Sequence, residues 1–149
     1  MTTRMNNANE IEDEVQFTVE GITPPSVNHY KVPCVYRASN GRRVKGFKLT
    51  AEAKAFKTWV CVMARGRTVA PATKRERDKV RYRIIIDVYL GPNERLDADN
   101  GPKLCLDGLE DAGVIHSDAF VGDLRVRPHK DERQNPRTVF YVSRMKEDE

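Results

Sequence analysis

The chain has 149 residues, 39% of them apolar and 32% charged, and a formal net charge of +4. This length fits one domain with a modest core, and no apolar run is long enough for a transmembrane helix. The polar N-terminus is unlike a signal peptide, and the three cysteines contain no C-x-x-C pair, so we expect a cytoplasmic protein with reduced thiols.

The N-terminal part of the chain divides into a tail, a strand and a loop. Residues 1–14 are polar and acidic and predict a disordered tail, while residues 145–149 predict a frayed C-terminus. We expect residues 15–144 to form one folded domain. Apolar residues alternate over 15–20 and predict a strand, after which Pro24-Pro25-Ser26 predicts a rigid extended loop.

A hairpin and a helix are predicted next. Residues 31–37 and 43–49 read as two strands joined by a turn at Ser39-Asn40-Gly41. Thr50 is a suitable N-cap for a helix over 51–64, whose apolar residues recur at helical spacing and predict a core-facing side.

The second half of the chain predicts strands on either side of another helix. The predicted elements are a basic loop at 65–79, a strand at 80–90, a helix with N-cap Asp99 running to about 112, strands at 121–126 and 138–143, and a polar loop at 128–137. This order predicts an α+β fold, a small single domain with two main helices packed on one mixed β-sheet.

Charge is distributed unevenly along the chain. Residues 37–83 contain 15 basic and three acidic residues, a net charge of +12, whereas residues 84–118 contain two basic and eight acidic residues, a net charge of −6. A basic block beside an acidic one favours a polyanionic partner and a cation held by carboxylates. The simpler alternative is a highly charged, solvated surface.

The acidic block contains two aspartates that require an explanation. Asp97 and Asp99 are two residues apart before the predicted helix, so in an extended segment their side chains share a face and repel each other unless a cation lies between them. Carboxylates without cysteine or histidine partners select Mg²⁺ or Mn²⁺. Beside a basic surface, such a site indicates phosphodiester hydrolysis.

The following helix places polar residues on one side. Asn100, Lys103 and Asp107 fall opposite the apolar face. An amphipathic helix with an acidic N-cap and ion pairs within the helix would explain Asp99, Lys103 and Asp107, but it would not explain Asp97.

Asp118 is a third candidate carboxylate. It follows the helix after a link too short to return along the whole helix, which spans about 20 Å. The residues leave open whether Asp118 joins the site through the following strand or across a dimer interface.

At these residues the sequence resembles the RusA-type Holliday junction resolvases of bacteria, phages and prophages, over roughly residues 15–143. Four motifs carry the resemblance: Pro24-Pro25-Ser26-Val27-Asn28-His29-Tyr30; Asp97-x-Asp99-Asn100-x-x-Lys103-x-x-x-Asp107-x-Leu109; Ala112-Gly113 followed by Asp118-Ala119-x-Val121; and Asp123-x-Arg125-Val126. The second and third motifs at this spacing are the most specific.

The resemblance implies a homodimeric endonuclease that cuts four-way DNA junctions by paired symmetric nicks during recombination and repair. It implies Mg²⁺ as cofactor, with Mn²⁺ as a substitute, and neither a nucleotide cofactor nor a membrane. Asp97, Asp99 and Asp118 match the family's metal-binding aspartates, and Lys103 matches its essential lysine. Asn100 and Asp107 match motif positions with supporting roles, and Asp107 could pair with Lys103.

Contacts to DNA are predicted outside the carboxylate cluster. The candidates share a polar or basic side chain on the Pro-Pro loop, the hairpin or the basic loop: Asn28, Tyr30, Arg42, Arg43, Lys45, Arg65, Arg67, Lys74 and Arg75. The histidines His116 and His129 are predicted to be surface residues without a role.

Two other functions remain open from the sequence. One is an accessory protein that binds branched DNA without cutting it, although the full set of aspartates and Lys103 argues against this. The other is a nuclease that prefers forks or flaps, whose active site would contain the same residues.

Overall fold

The computed structural model describes residues 12–25, 31–92, 94–96, 100–130 and 135–146. The strands are β1 (Glu14–Glu20), β2 (Lys31–Arg37), β3 (Arg43–Leu49), β4 (Tyr82–Leu90), β5 (Val121–Lys130) and β6 (Arg137–Arg144), and the helices are α1 (Ala51–Ala64), α2 (Lys74–Arg77) and α3 (Asn100–Asp111). A 3₁₀ turn, Asp118–Phe120, precedes β5. Within these ranges, none of the helices has the length and apolar character needed to cross a membrane.

A four-stranded mixed sheet, in the order β1-β6-β4-β5, forms the centre of the domain. Strand β4 runs parallel to β5 and antiparallel to β6. Because side chains alternate along a strand, Ile84, Ile86 and Val88 face the same side, and they share one core with Phe56 of α1 and Leu109 of α3. The helices therefore cover one face of the sheet, and the α+β prediction is confirmed.

The prediction of one sheet was wrong for the hairpin. Strands β2 and β3 pair with each other in a separate two-stranded sheet. Val35 and Tyr36 are 61% and 52% exposed, so these hairpin side chains do not join the main core. The hairpin residues Arg42, Arg43 and Lys45 are exposed to solvent.

Strand β5 is longer than predicted. We expected it to end at Val126 and a loop to begin at 128, but β5 continues through Pro128 to Lys130. Because β5 is an edge strand, the missing N–H of Pro128 costs less here than it would in a central strand. The predicted basic loop likewise contains the short helix α2.

The folded domain begins before residue 15. Arg67 binds the carboxylate of Glu12, and Arg144 binds that of Asp13 at 2.6 Å. Of the predicted tail, residues 1–11 lie outside the described residues. At the other end the N–H of Met145 donates to the carbonyl of Arg81, and residues 147–149 are not described.

Candidate active site

The start of α3 packs tightly against two other parts of the chain. A Cβ atom at Gly101 would lie 2.7 Å from Cδ1 of Leu96 and 4.0 Å from Cβ of Pro24. The helix therefore begins against both the preceding segment and the first residues of the Pro-Pro loop. Three predicted site features lie outside the described residues: Asp97, Asp99 and the side chain of Asn100. The predicted DNA contacts Asn28 and Tyr30 also lie outside them.

Packing on α1 determines which side of α3 faces solvent. Leu104 and Leu109 are fully buried, and a Cβ atom at Gly108 would lie 3.3 Å from both γ-carbons of Val60, so the two helices approach closely there. The Nζ of Lys57 on α1 binds Asp111 at 2.6 Å. The opposite side of α3 carries the exposed Lys103 and the half-buried Asp107 and Glu110.

A sharp turn ends α3 and reverses the chain. Gly113 has φ +75°, its N–H donates to the carbonyl of Glu110, and the N–H of Val114 donates to the carbonyl of Leu109. Val114 and Ile115 are then buried, which directs the link back over the helix.

This reversal brings three carboxylates together. Asp107, Glu110 and Asp118 can each offer one carboxylate oxygen to a shared ion. These three oxygens lie within 4.8 Å of one another. Asp118 occupies the 3₁₀ turn, where the Oγ of Ser117 accepts from the N–H of Ala119. Asp118 therefore joins α3 within one protomer, about 10 Å along the helix from Asn100.

An aromatic cluster holds the link that carries Asp118. The fully buried Tyr82 has its Oη 2.6 Å from Nδ1 of His116, whose ring also lies 4.7 Å from that of Phe120. Burial and the nearby Arg77 lower the pKa of His116, which favours a neutral imidazole. His116 was predicted to be a surface residue without a role; it is half-buried, and its contacts with Tyr82 and Phe120 anchor this link.

Glu110 was not singled out from the sequence. It is three residues after Asp107 and so lies on the same side of the helix, a spacing that could have indicated it. What the sequence could not indicate is the approach of Asp118, which depends on how the link folds back.

The three carboxylates suit a hard cation. Mg²⁺ and Mn²⁺ prefer oxygen ligands, and this cluster offers only carboxylate oxygens. Lys103, one turn before Asp107, adds a positive charge on the same side of α3. Such a group of side chains could hold a divalent ion and a phosphate together.

Most of the basic candidates are available to a polyanion. The exposed ones lie on the hairpin, on α2 and at the end of α1: Arg42, Arg43, Lys45, Arg65, Lys74 and Arg75. Arg67 differs, because its Nε and Nη2 bind Glu12 at 2.8 and 3.2 Å and its Nη1 donates to the carbonyl of Gln16. Its guanidinium is therefore occupied in holding the N-terminal segment.

Two comparisons relate the chain to known proteins. A search of curated proteins found no significant match. The family model for endodeoxyribonuclease RusA matches residues 6–142, which includes every residue of the candidate site. The chain therefore belongs to the RusA endodeoxyribonuclease family, whose members act as Holliday junction endonucleases.

Proposed function

We propose that this protein is a Mg²⁺-dependent resolvase that cuts four-way DNA junctions by paired symmetric nicks as a homodimer. The observation that carries this proposal is the meeting of Asp107, Glu110 and Asp118 on the side of α3 that also carries Lys103. The family match supports DNA as the substrate.

Aspartates are proposed to hold the cofactor. Asp97, Asp99 and Asp118 are the proposed Mg²⁺ ligands, with Mn²⁺ as a substitute and Asn100 in support. Because Asp118 meets α3 about 10 Å from Asn100, it holds an ion with Asp107 and Glu110, while Asp97 and Asp99 hold one at the start of α3. Asp107 and Glu110 share the ion's charge with Asp118, which offsets the repulsion that three close carboxylates would otherwise suffer. When bound, Mg²⁺ supplies Lewis-acid polarisation of the phosphate and a more acidic water.

Lys103 is proposed to act on the phosphate itself. Its ammonium group neutralises the negative charge that grows on the phosphoryl oxygens as the bond breaks, an effect that is strongest in the transition state. The exposed Arg and Lys side chains of the hairpin and of α2 bind neighbouring phosphates and orient the junction. A twofold dimer presents two such sites to a substrate that is itself approximately twofold symmetric.

Cleavage of a labelled synthetic four-way junction tests the proposal. With Mg²⁺ we expect paired nicks in opposing strands, and with EDTA we expect none. Asp99→Asn and Asp118→Asn should each lower the cleavage rate by at least about a hundredfold, because a lost ligand weakens both ion binding and charge stabilisation. Both variants should still bind the junction in a mobility-shift assay.

Asp111→Asn is the matched control. Asp111 lies on the same helix but binds Lys57 on α1 and has a 52% exposed side chain, so this variant should cut at the normal rate. Binding without nicks in either Mg²⁺ or Mn²⁺ would instead identify an accessory DNA-binding protein. Faster cutting of a fork of the same sequence would identify a broader branch nuclease.

A further inference from the structure

The sheet face opposite the helices carries a stack of planar side chains. Tyr89 on β4 lies opposite Arg137 on β6 and His129 on β5. The guanidinium carbon of Arg137 lies 3.8 Å from the centre of the Tyr89 ring. The ring of His129 stacks on Tyr89 with centres 4.7 Å apart and planes 17° apart. These contacts join three strands in one continuous stack.

The carboxylate of the buried Asp87 holds His129, the outermost member of the stack, in place. Asp87 is 3% exposed, and its Oδ1 lies 2.8 Å from Nε2 of His129. Asp87 also binds Nε and Nη2 of Arg127 at 2.6 and 2.7 Å. The imidazole of His129 is thereby held in one orientation. The side chain of Arg127 is 54% exposed, and its Nη1 takes no part in the bonds to Asp87.

The stack ends at an open edge of the sheet. His129 is on β5, the edge strand, so no strand of the described sheet covers its outer side. Pro128 and Lys130 of the same strand line a cavity of about 520 Å³ together with Leu96 and Pro102. Because Pro128 and Lys130 alternate with His129 along β5, this cavity lies on the helix-covered side of the sheet. Leu96 and Pro102 flank the segment with the predicted metal ligands, so that segment and the stack lie on opposite faces of the same sheet edge.

We propose that this stack binds an unpaired nucleobase of a DNA strand at the branch point, with Arg127 contacting the adjoining phosphate. A base placed against the outer side of His129 extends the stack, and every base has a π-face for this contact. Arg127 and Arg137 provide positive charge beside the carboxylate of Asp87. The proposal rests on the proposed function, because it assumes a branched DNA substrate.

The chemistry of this face favours a DNA strand over a second copy of the chain. The centres of homodimer interfaces are largely apolar, whereas this face presents His129 and two arginines around the carboxylate of Asp87. Single-stranded DNA is recognised by this combination of stacking surfaces and cations.

Binding of an eight-nucleotide, fluorescently labelled single strand in EDTA tests the proposal with the full chain. Under these conditions cleavage cannot contribute. His129→Ala should raise the Kd for the single strand about tenfold, as expected for one lost stacking contact. His129→Phe, which keeps a flat ring but cannot bond Asp87, should restore most of the affinity. Kd for a linear duplex should stay unchanged in both variants.

Arg125→Ala is the matched control, since Arg125 lies on the same strand and face with a 66% exposed side chain but is outside the stack. Its Kd should rise less than twofold. Equal losses in Arg125→Ala and His129→Ala would overturn the proposal, as would unchanged affinity in His129→Ala. A changed monomer–dimer equilibrium in His129→Ala, with unchanged affinity, would also overturn it and would make this face a contact between copies.

The single-strand binding experiment and the junction cleavage experiment can fail independently. If the wild type fails to cut junctions in Mg²⁺ but His129→Ala still loses single-strand affinity, the binding site is supported and the cleavage proposal is not. If junctions are cut and His129→Ala binds normally, only the stacking proposal fails.

Discussion

Asp87 shows how one residue can organise a surface that its sequence context does not indicate. It follows three isoleucines in β4, where the pattern indicates only a buried strand. Its carboxylate is buried but has charged hydrogen bonds from Arg127, and these outweigh the cost of desolvation. The hydrogen bonds from Arg127, with help from His129, lower the pKa of Asp87 below its usual value.

The lowered pKa of Asp87 predicts a pH-dependent stability. A carboxyl whose pKa is lower in the folded state contributes stability above its unfolded pKa of about 3.9, and this is lost as the pH falls through the folded pKa. Asp87→Asn should therefore lower the free energy of unfolding by about 2 kcal/mol at pH 7. The difference from wild type should shrink below about pH 4. Urea unfolding at several pH values measures this difference.

Asp13→Asn is the control for Asp87→Asn. Asp13 also binds an arginine, Arg144, but its side chain is 97% exposed, so solvent screens the pair. We expect no measurable change in its unfolding free energy at any of these pH values. A difference between Asp87→Asn and wild type that stays constant down to pH 2 would contradict the assignment to carboxylate charge.

At the scale of elements, the packing of α3 on α1 decides which side chains reach the site. Gly108 lets α3 approach Val60, and this contact turns Asp107 and Glu110 toward the link that carries Asp118. A glycine inside a helix costs about 1 kcal/mol relative to alanine, so close packing offsets a poor local propensity.

Gly108→Leu tests the close approach of the two helices. The larger side chain would overlap the γ-carbons of Val60, so we expect a loss of about 1–3 kcal/mol in unfolding free energy. Val60→Ala makes room for it. In a double-mutant cycle the two changes together should cost less than the sum of their separate effects. Additive effects would show that residue 108 does not contact Val60.

At the scale of the whole molecule, charge is separated along the chain and in the fold. The basic hairpin forms its own sheet and exposes Arg42, Arg43 and Lys45, while the carboxylate cluster lies on α3 and the turn before β5. This arrangement attracts DNA with one part of the molecule and leaves another part to hold a cation. We propose that affinity comes largely from the first part.

Salt dependence tests this division. Binding of a junction in EDTA should weaken steeply with salt because phosphate contacts release counterions. Replacing Arg42, Arg43 and Lys45 together by Ala should reduce the slope of log K against log [salt] by about 2 to 3. Arg67→Ala removes one equal charge but should leave the slope unchanged, because that guanidinium binds Glu12 and Gln16. A large slope change in Arg67→Ala would contradict this assignment.

The sequence alone determined the local structure of this protein. Alternation of apolar residues predicted β1, strand and turn signals predicted β2, β3, β4 and β6, and the N-cap Thr50 with an apolar stripe predicted α1 over 51–64. The resemblance of four motifs, including the one from Asp97 to Leu109, to the RusA-type resolvases predicted the family, which the family match confirms. These strands, this helix and these motifs each depend on residues that are close together in the chain, so the local sequence is enough to predict them.

Only the tertiary structure decided which distant residues meet. The separate hairpin sheet, the approach of Asp118 to Asp107, and the Arg137–Tyr89–His129 stack over Asp87 each join residues from different elements. Sequence periodicity shows which face a residue occupies, but not which strand or link packs beside it. That choice follows from burial of the whole core, which is a property of all the elements together.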